Sequence, residues 1–470
     1  MSPAPNAPPL ALPPGPRGAP LLGSVREALR DPIKLFFSGT ERYGGIVHFR
    51  FLQLDYVLIN DPDAIRHVVV ENAKAYVKSR NYVGLRTILG QGLLTSEGEL
   101  WRHQRKLAQP AFHRERLGGF LDTMVTCTRE MLDRWERELV KKTFDAHAEM
   151  TRLAFRIAGL TLVSAELDGE AKAIGDALTI GLHWANAHAE SFIKVPPHWP
   201  TPANRRMQRA VGAFDELIFR IIDEREREGP KPDLLSMLLD AKDDVTGERM
   251  DRKQLRDELI TLIAAGHETT ANALSFAFYL LSKHPGTWRL VVEEARAVLG
   301  DRPMELSDLA RLPYVQRVVQ ESLRLYPPVW IFERDALEED TAGPFRIPKG
   351  AVVGVCPFVL HRNPRYWDNP EGFDPDRFLP ENEKARPRYA YLPFGGGPRT
   401  CIGNQFALME MAVVLATVAQ RCRLELSPGF ELVLDPAVTL RPKHGIPMRV
   451  VQRDGGSVNA PGASPPARRG

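Results

Sequence analysis

The sequence predicts a mainly α-helical protein with a small β region. Three observations carry that reading. From about Ser24 to Gly300 apolar residues recur largely at helical spacing, interrupted by short strand-like stretches such as GIVHFRFLQLDYVLIN. Between Pro344 and Gly372 the texture changes: FRIPKGAVVGVCPFVLH is β-branched and glycine-punctuated, which predicts strand. No linker of flexible composition divides the middle of the chain. One domain over residues 24–453 is expected. A proline-rich segment, 1–23, precedes it, and a low-complexity tail, 454–470, is expected to be disordered.

The bulk numbers exclude several classes. The chain has 470 residues, 43% of them hydrophobic, enough apolar material for a large core. A net charge of +3 gives no support for nucleic-acid binding, which needs a concentrated basic footprint. The cysteines, Cys127, Cys356, Cys401 and Cys422, form no CxxC pair and have no histidine at zinc-finger spacing. Neither a zinc site nor a disulfide framework is expected. The N-terminal MSPAPNAPPLALPPGPRGAPLLG reads as extended polyproline-like chain. It lacks a signal-peptide pattern and any apolar run near the roughly 20 residues that span a bilayer. A cytoplasmic monomer without a transmembrane anchor is expected.

A helix of about 50 Å is predicted between Asp251, a candidate N-cap, and His284, which precedes Pro285. It has no heptad, and His267 and Glu268 interrupt its apolar run, so a buried spine fits better than a coiled coil or a membrane span. Leu262, Ala265, Gly266, Thr269 and Ala273 share one face, and all but the leucine are small. Such a face leaves a slot. Close helix packing would also explain the glycine and alanines, but it explains Glu268 and Thr269 less well. Gly266 costs about 1 kcal/mol relative to alanine inside a helix. The Thr269 hydroxyl can reach the Ala265 carbonyl and bend the helix. Further on, ESLRLYPP places Glu321 and Arg324 one turn apart, with Glu321 on the face of Val318 and Leu325. A carboxylate entering an apolar stripe needs a partner.

FGGGPRTCIG, residues 394–403, delivers one thiol through a glycine-rich loop. No Gly-Lys-Ser/Thr follows, so it is not a phosphate loop, and the glycine spacing does not fit a dinucleotide fingerprint. Phe406, Met411, Val414, Leu415 and Val418 fall on a helical period, which puts Cys401 just before a helix N-terminus. Free N–H groups there favour a thiolate. Gly397 and Gly403 are expected to let backbone amides approach the sulfur. No histidine base can be placed beside Cys401, so metal binding is favoured over nucleophilic attack. A lone thiolate suggests a metal whose other ligands come from elsewhere, such as a porphyrin. The remaining cysteines read as buried, inert thiols.

The pattern F-x-x-G-x-R-x-C-x-G, filled by Phe394, Gly397, Arg399, Cys401 and Gly403, resembles the haem-binding loop of the cytochrome P450 family. Other motifs in family order support the resemblance. Ala265, Gly266, Glu268 and Thr269 match its oxygen-activation motif. Glu321 and Arg324 match E-x-x-R, with Arg377 of PDRF as the later arginine; Asp376 stands where the family more often has glutamate. Trp101 and Arg105 match W-x-x-x-R, and Arg334 of FERDA matches a further arginine. The resemblance implies the cytochrome P450 fold, with haem b between the long central helix and the helix after the cysteine loop. Cys401 would be the axial ligand of the iron, and Phe394 would pack against the ligand loop. Trp101, Arg105, Arg334 and Arg399 would bind propionates. Glu268, connected to solvent, and Thr269 would relay the protons that reduction of O2 consumes. Glu321, Arg324 and Arg377 would serve folding.

The implied activity is insertion of one atom of O2 into a lipophilic small molecule by hydroxylation or epoxidation. A fatty acid, a terpenoid or another secondary metabolite is the expected substrate. Substrate contacts are expected around Tyr82–Leu89, His183–Phe192, Ala264, Ala265 and Val329–Phe332. The chain carries no flavin or iron–sulfur signature, so electrons would come from a separate ferredoxin or flavodoxin with its NAD(P)H reductase. Arg102, Lys106, Lys384, Arg386, Arg388 and Arg399 are candidates for its basic docking patch. Alternative readings are a peroxide-using or isomerising haem-thiolate enzyme, against which Glu268 and Thr269 argue, and a haem sensor without turnover.

Overall fold

The computed structural model describes residues 10–113, 118–140, 142–165, 177, 180–181, 183–188, 191, 195–242 and 247–452. Most of these are helical, with small sheets at the periphery. The helices that matter to the site are α1 (Gly98–Ala108), α2 (Ala146–Val163), α3 (Arg252–Lys283), α4 (Pro313–Leu325) and α5 (Asn404–Arg421). The largest sheet contains β1 (Ile46–Phe51), β2 (Leu54–Ile59), β3 (Tyr76–Lys78), β4 (Phe332–Ala336) and β5 (Val352–Val355), in the order β1-β2-β5-β4-β3. All its pairings are antiparallel except β2 with β5. β6 (Leu434–Pro436) and β7 (Leu440–Pro442) form a separate hairpin.

α3 is the predicted spine. Its N-cap Asp251 accepts from the Gln254 amide at 2.7 Å, and the helix ends at Lys283 before His284 and Pro285. It is buried along most of its length, through polar as well as apolar residues. Leu255, Leu259 and Ile260 belong to one hydrophobic cluster, Leu274, Phe278 and Leu281 to a second, and Phe276 to a third. α5 is also buried on most sides, through Val413, Val414, Leu415 and Ala416.

Two expectations are refined. The stretch 344–360 is not one strand. It makes a short strand at Phe345–Ile347, then β5, then a helical turn at Pro357–Leu360. Pro357 has no N–H to give a sheet ladder but suits the first position of a helix, where none is needed. The described part of the proline-rich segment lies along β1: His48 donates its amide to Pro14 at 3.0 Å and Leu52 donates to Leu22 at 3.1 Å. Its first residues and the tail after Gln452 lie outside the described residues.

Between residue 361 and Phe378 the chain has little regular structure, and an ion pair orders it. Glu321 and Arg324 are both fully buried. Arg324 donates Nε to Glu321 at 2.6 Å and Nη2 to its other oxygen at 2.8 Å. Its remaining donors reach the carbonyls of His361, Pro370 and Gly372 at 2.8, 2.6 and 2.8 Å. All five guanidinium protons are therefore used. Glu321 also accepts from the Asp374 amide at 2.9 Å and faces Arg377 Nε at 3.4 Å. The buried imidazole of His361 links this network to the loop: Nδ1 donates to the Arg324 carbonyl at 3.1 Å, and Nε2 accepts the Leu392 amide at 2.8 Å. Burial, then the nearby Arg324, holds its pKa well below the usual histidine value, which keeps it neutral as that tautomer requires.

Arg324→Lys should keep the charge yet leave carbonyls of segment 361–372 without donors. Breaking a buried pair costs about 3–5 kcal/mol. Urea unfolding should show a loss of that order, and an unchanged midpoint would remove the pair from its structural role.

Candidate active site

A cavity of about 1700 Å³ lies between α3 and the cysteine loop. Cys401, Ala265, Gly266, Glu268 and Thr269 all line it, as do Leu262 and Ala273, so the whole small-residue face of α3 opens into it. A Cβ added at Gly266 would meet no atom within 4 Å. This glycine is therefore not explained by close helix packing, and the slot reading accounts for it. Thr269 donates its hydroxyl to the Ala265 carbonyl at 2.7 Å, the bond anticipated from the sequence.

The loop holding Cys401 is closed by its own backbone. The Cys401 amide donates to the Phe394 carbonyl at 2.9 Å, and Phe394 packs against the core beneath. Gly397 serves a contact the sequence did not suggest. Its φ is +67°, and a side chain there would collide with the Val69 carbonyl oxygen. It seats the loop against the turn before β3. Gly403 is the glycine whose amide meets the sulfur. Cys401 has an accessible surface although protein surrounds it on every side, because that surface is cavity wall. The protein surroundings alone do not favour the ionised sulfur. Burial raises the thiol pKa, and the Gly403 amide and Arg105 offset this only in part. A coordinated metal deprotonates such a thiol outright, so the surroundings suit an anion held by iron rather than a free one.

Beside the cysteine loop cations converge. Trp101 and Arg105 come from α1, Arg334 from β4 and Arg399 from the cysteine loop. Arg399 lies 3.9 Å over the Trp101 ring and pairs with Glu97, while its Nη1 is buried with no partner among the described residues. Arg105 Nη1 donates to the Thr400 carbonyl at 3.0 Å. Lys78, which also lines the cavity, was not legible as a site residue. It stands directly opposite Arg334 in the β3–β4 pairing. Burial, then Arg334 and Arg399, drives its pKa well down. Like charges directly opposite on paired strands destabilise a sheet. Their presence with an orphaned guanidinium N–H fits acidic groups such as haem propionates. Cavity size agrees: single small-molecule sites occupy roughly 300–1,000 Å³, and this space suits a macrocycle and a substrate together.

Glu268 is partly buried and lines the cavity. Its Oε1 accepts from Thr439 Oγ1 at 2.7 Å. Burial raises its pKa, and the Thr439 bond and Arg441 pull it back. Thr439 lies between β6 and β7, a region without any sequence signal. The expected substrate segments do meet the cavity, through Tyr82, Leu85, Leu89, Asn186, His188, Ala264 and Val329–Phe332. Phe192 lies outside the described residues. The expected basic patch is smaller than proposed. Arg399 turns inward, and Arg386 stacks 3.8 Å over Trp367; Arg102, Lys106, Lys384 and Arg388 are exposed.

The family described as Cytochrome P450 matches residues 13–446 of the chain. Cyclooctatin synthase of Streptomyces melanosporofaciens is 36% identical over 433 residues, covering 90% of this chain and 92% of that protein. Cyclooctat-9-en-7-ol 5-monooxygenase of the same organism is 34% identical over 422 residues, covering 89% and 90%. The cytochrome P450DA heme domain aligns with a TM-score of 0.86 at 28% identity, covering 95% of this chain and 98% of that one. No helix among the described residues is long and apolar enough to cross a membrane.

If Gly266 keeps a slot open, Gly266→Ala should stabilise the apoprotein by up to about 1 kcal/mol, the helix-propensity difference. Denaturant unfolding measures this. A marked loss of stability would mean that the glycine serves packing.

Proposed function

The chain belongs to the cytochrome P450 family and is a monooxygenase, and from that premise we propose that residues 24–453 act as one unit that binds haem b and oxidises an uncharged, lipophilic substrate. The observation that carries this reading is Cys401 and the Ala265–Thr269 face of α3 opening into one cavity. When bound, a haem iron with a thiolate ligand supplies reductive activation of O2. Cys401 would be that ligand, with the Gly403 amide against its sulfur. Trp101, Arg105, Arg334 and Arg399, joined by Lys78, would hold the propionates.

Thr269 would hold dioxygen and an ordered water, and Glu268 would pass protons into the same space. Both sit on one turn of a buried helix, so neither can drift from the other. Leu85, Leu89, Leu94, Leu262, Val329 and Ile331 supply an apolar wall that excludes bulk water and favours a hydrocarbon skeleton. The relative named for oxidising cyclooctat-9-en-7-ol supports a cyclic, terpenoid-like skeleton over a fatty acid. No cofactor other than haem is proposed. Electrons would arrive from a ferredoxin or flavodoxin with its reductase, steered by exposed cations such as Arg102, Lys106, Lys384 and Arg388.

The reduced protein with carbon monoxide should give the strongly red-shifted Soret band of thiolate ligation, and Cys401→Ser should lose it. A parent without that band would overturn the reading. Thr269→Ala should keep the band while several-fold more of the consumed NAD(P)H appears as hydrogen peroxide. Fully coupled turnover in that variant would remove Thr269 from proton delivery.

A further inference from the structure

Glu268 is the first member of a longer chain. Thr439 donates to it, Asn272 Nδ2 donates to Thr439 Oγ1 at 3.1 Å, and His147 Nε2 meets Asn272 Oδ1 at 2.8 Å. The directions are fixed by counting protons. Thr439 gives its only hydroxyl proton to the carboxylate, so it can only accept from Asn272. The amide nitrogen of Asn272 therefore faces Thr439, its oxygen faces His147, and His147 must carry its proton on Nε2. Every donor points toward Glu268. The chain crosses three elements: α2 gives His147, α3 gives Asn272, and the β6–β7 turn gives Thr439. Asn272 is fully buried and Thr439 nearly so, so these bonds form out of water, where each is strong and its loss costly.

We propose that Thr439, Asn272 and His147 are positioning residues, a one-way hydrogen-bonded chain that ties down Oε1 of Glu268, leaves Oε2 to the cavity, and sets the pH at which this acid gains and loses its proton. This deepens the monooxygenase reading and rests on it for its consequence in turnover. An amide does not readily pass a proton along, so the chain acts by orientation and by stabilising the carboxylate rather than as a wire. The charges around it agree. Arg441 favours the ionised form of Glu268 and is itself paired with Asp435 at 2.9 Å and close to His183 at 3.1 Å. At the outer end, His147 feels Asp145 and Arg441. His267, next to Glu268 on α3, is pushed down to about 4 by burial and then by His147, so it adds no charge near neutrality.

Loss of the Thr439 hydroxyl removes a bond that favours the carboxylate, so the Glu268 titration must move upward. A hydrogen bond to a charged group corresponds to about one to two pH units. The carboxyl band of Glu268, assigned by its disappearance in Glu268→Gln, can be titrated by infrared difference spectroscopy on the haem-loaded protein. Thr439→Val should raise its midpoint by that amount, Thr439→Ser should restore the parent value, and Asn272→Leu should raise it by less than Thr439→Val. In turnover, the pH at which peroxide formation sets in should move the same way. A merely structural role would lower stability without moving either midpoint. A Thr439→Val midpoint equal to the parent's, in protein that retains the thiolate carbon monoxide band, would overturn the inference. Loss of that band in the parent would instead count against the enzyme reading, since the infrared titration does not depend on it.

Discussion

The guanidinium of Arg324 is the constraint on which the rest of the site depends. Residues 361–378 connect the sheet to the cysteine loop with almost no secondary structure of their own, so their carbonyls have no ladder to join. One arginine, with Glu321 fixing its orientation, gathers the carbonyls of His361, Pro370 and Gly372. His361 then carries the constraint onward to the Leu392 amide, two residues before Phe394. Phe394 in turn accepts from Cys401. The position of the sulfur is thus set by a series of buried hydrogen bonds that begins on α4 at Arg324, a residue that does not itself line the cavity. A lysine could supply the charge at that origin but not the planar fork.

The cavity has two chemical characters. Its cations gather where Trp101, Arg105, Lys78, Arg334 and Arg399 meet, and elsewhere its walls are mainly hydrocarbon. The acid beside Thr269 is bonded to Thr439, which is backed by Asn272 and His147, two residues that do not line the cavity.

Much of this was readable in the sequence because the residues lie close together along the chain. The α3 slot shows in five residues of one helix, the Glu321–Arg324 pair in one turn, and the thiol in one glycine-rich loop. Capping and proline rules also placed both ends of α3. What the sequence did not disclose are partners brought together from far apart. Lys78 sits on a three-residue strand and gains meaning only from its register with Arg334. Thr439 occupies a turn with no pattern, and Asn272 and His147 read as ordinary helix residues until the packing of α2 on α3 joins them. The burial of Cys401 was not legible for a similar reason: helix-terminus arguments are local, whereas desolvation depends on everything packed around the sulfur.

The pairing of Lys78 with Arg334 bears on how the protein is assembled. Two cations facing each other across the outermost strands, with Arg399 close by, leave that edge of the sheet electrostatically unfinished. A dianionic guest that settles among them would do the work of a missing side chain. Its binding energy would then be shared between capture and closure of the edge. Binding of such a guest would in that sense be a final step of folding.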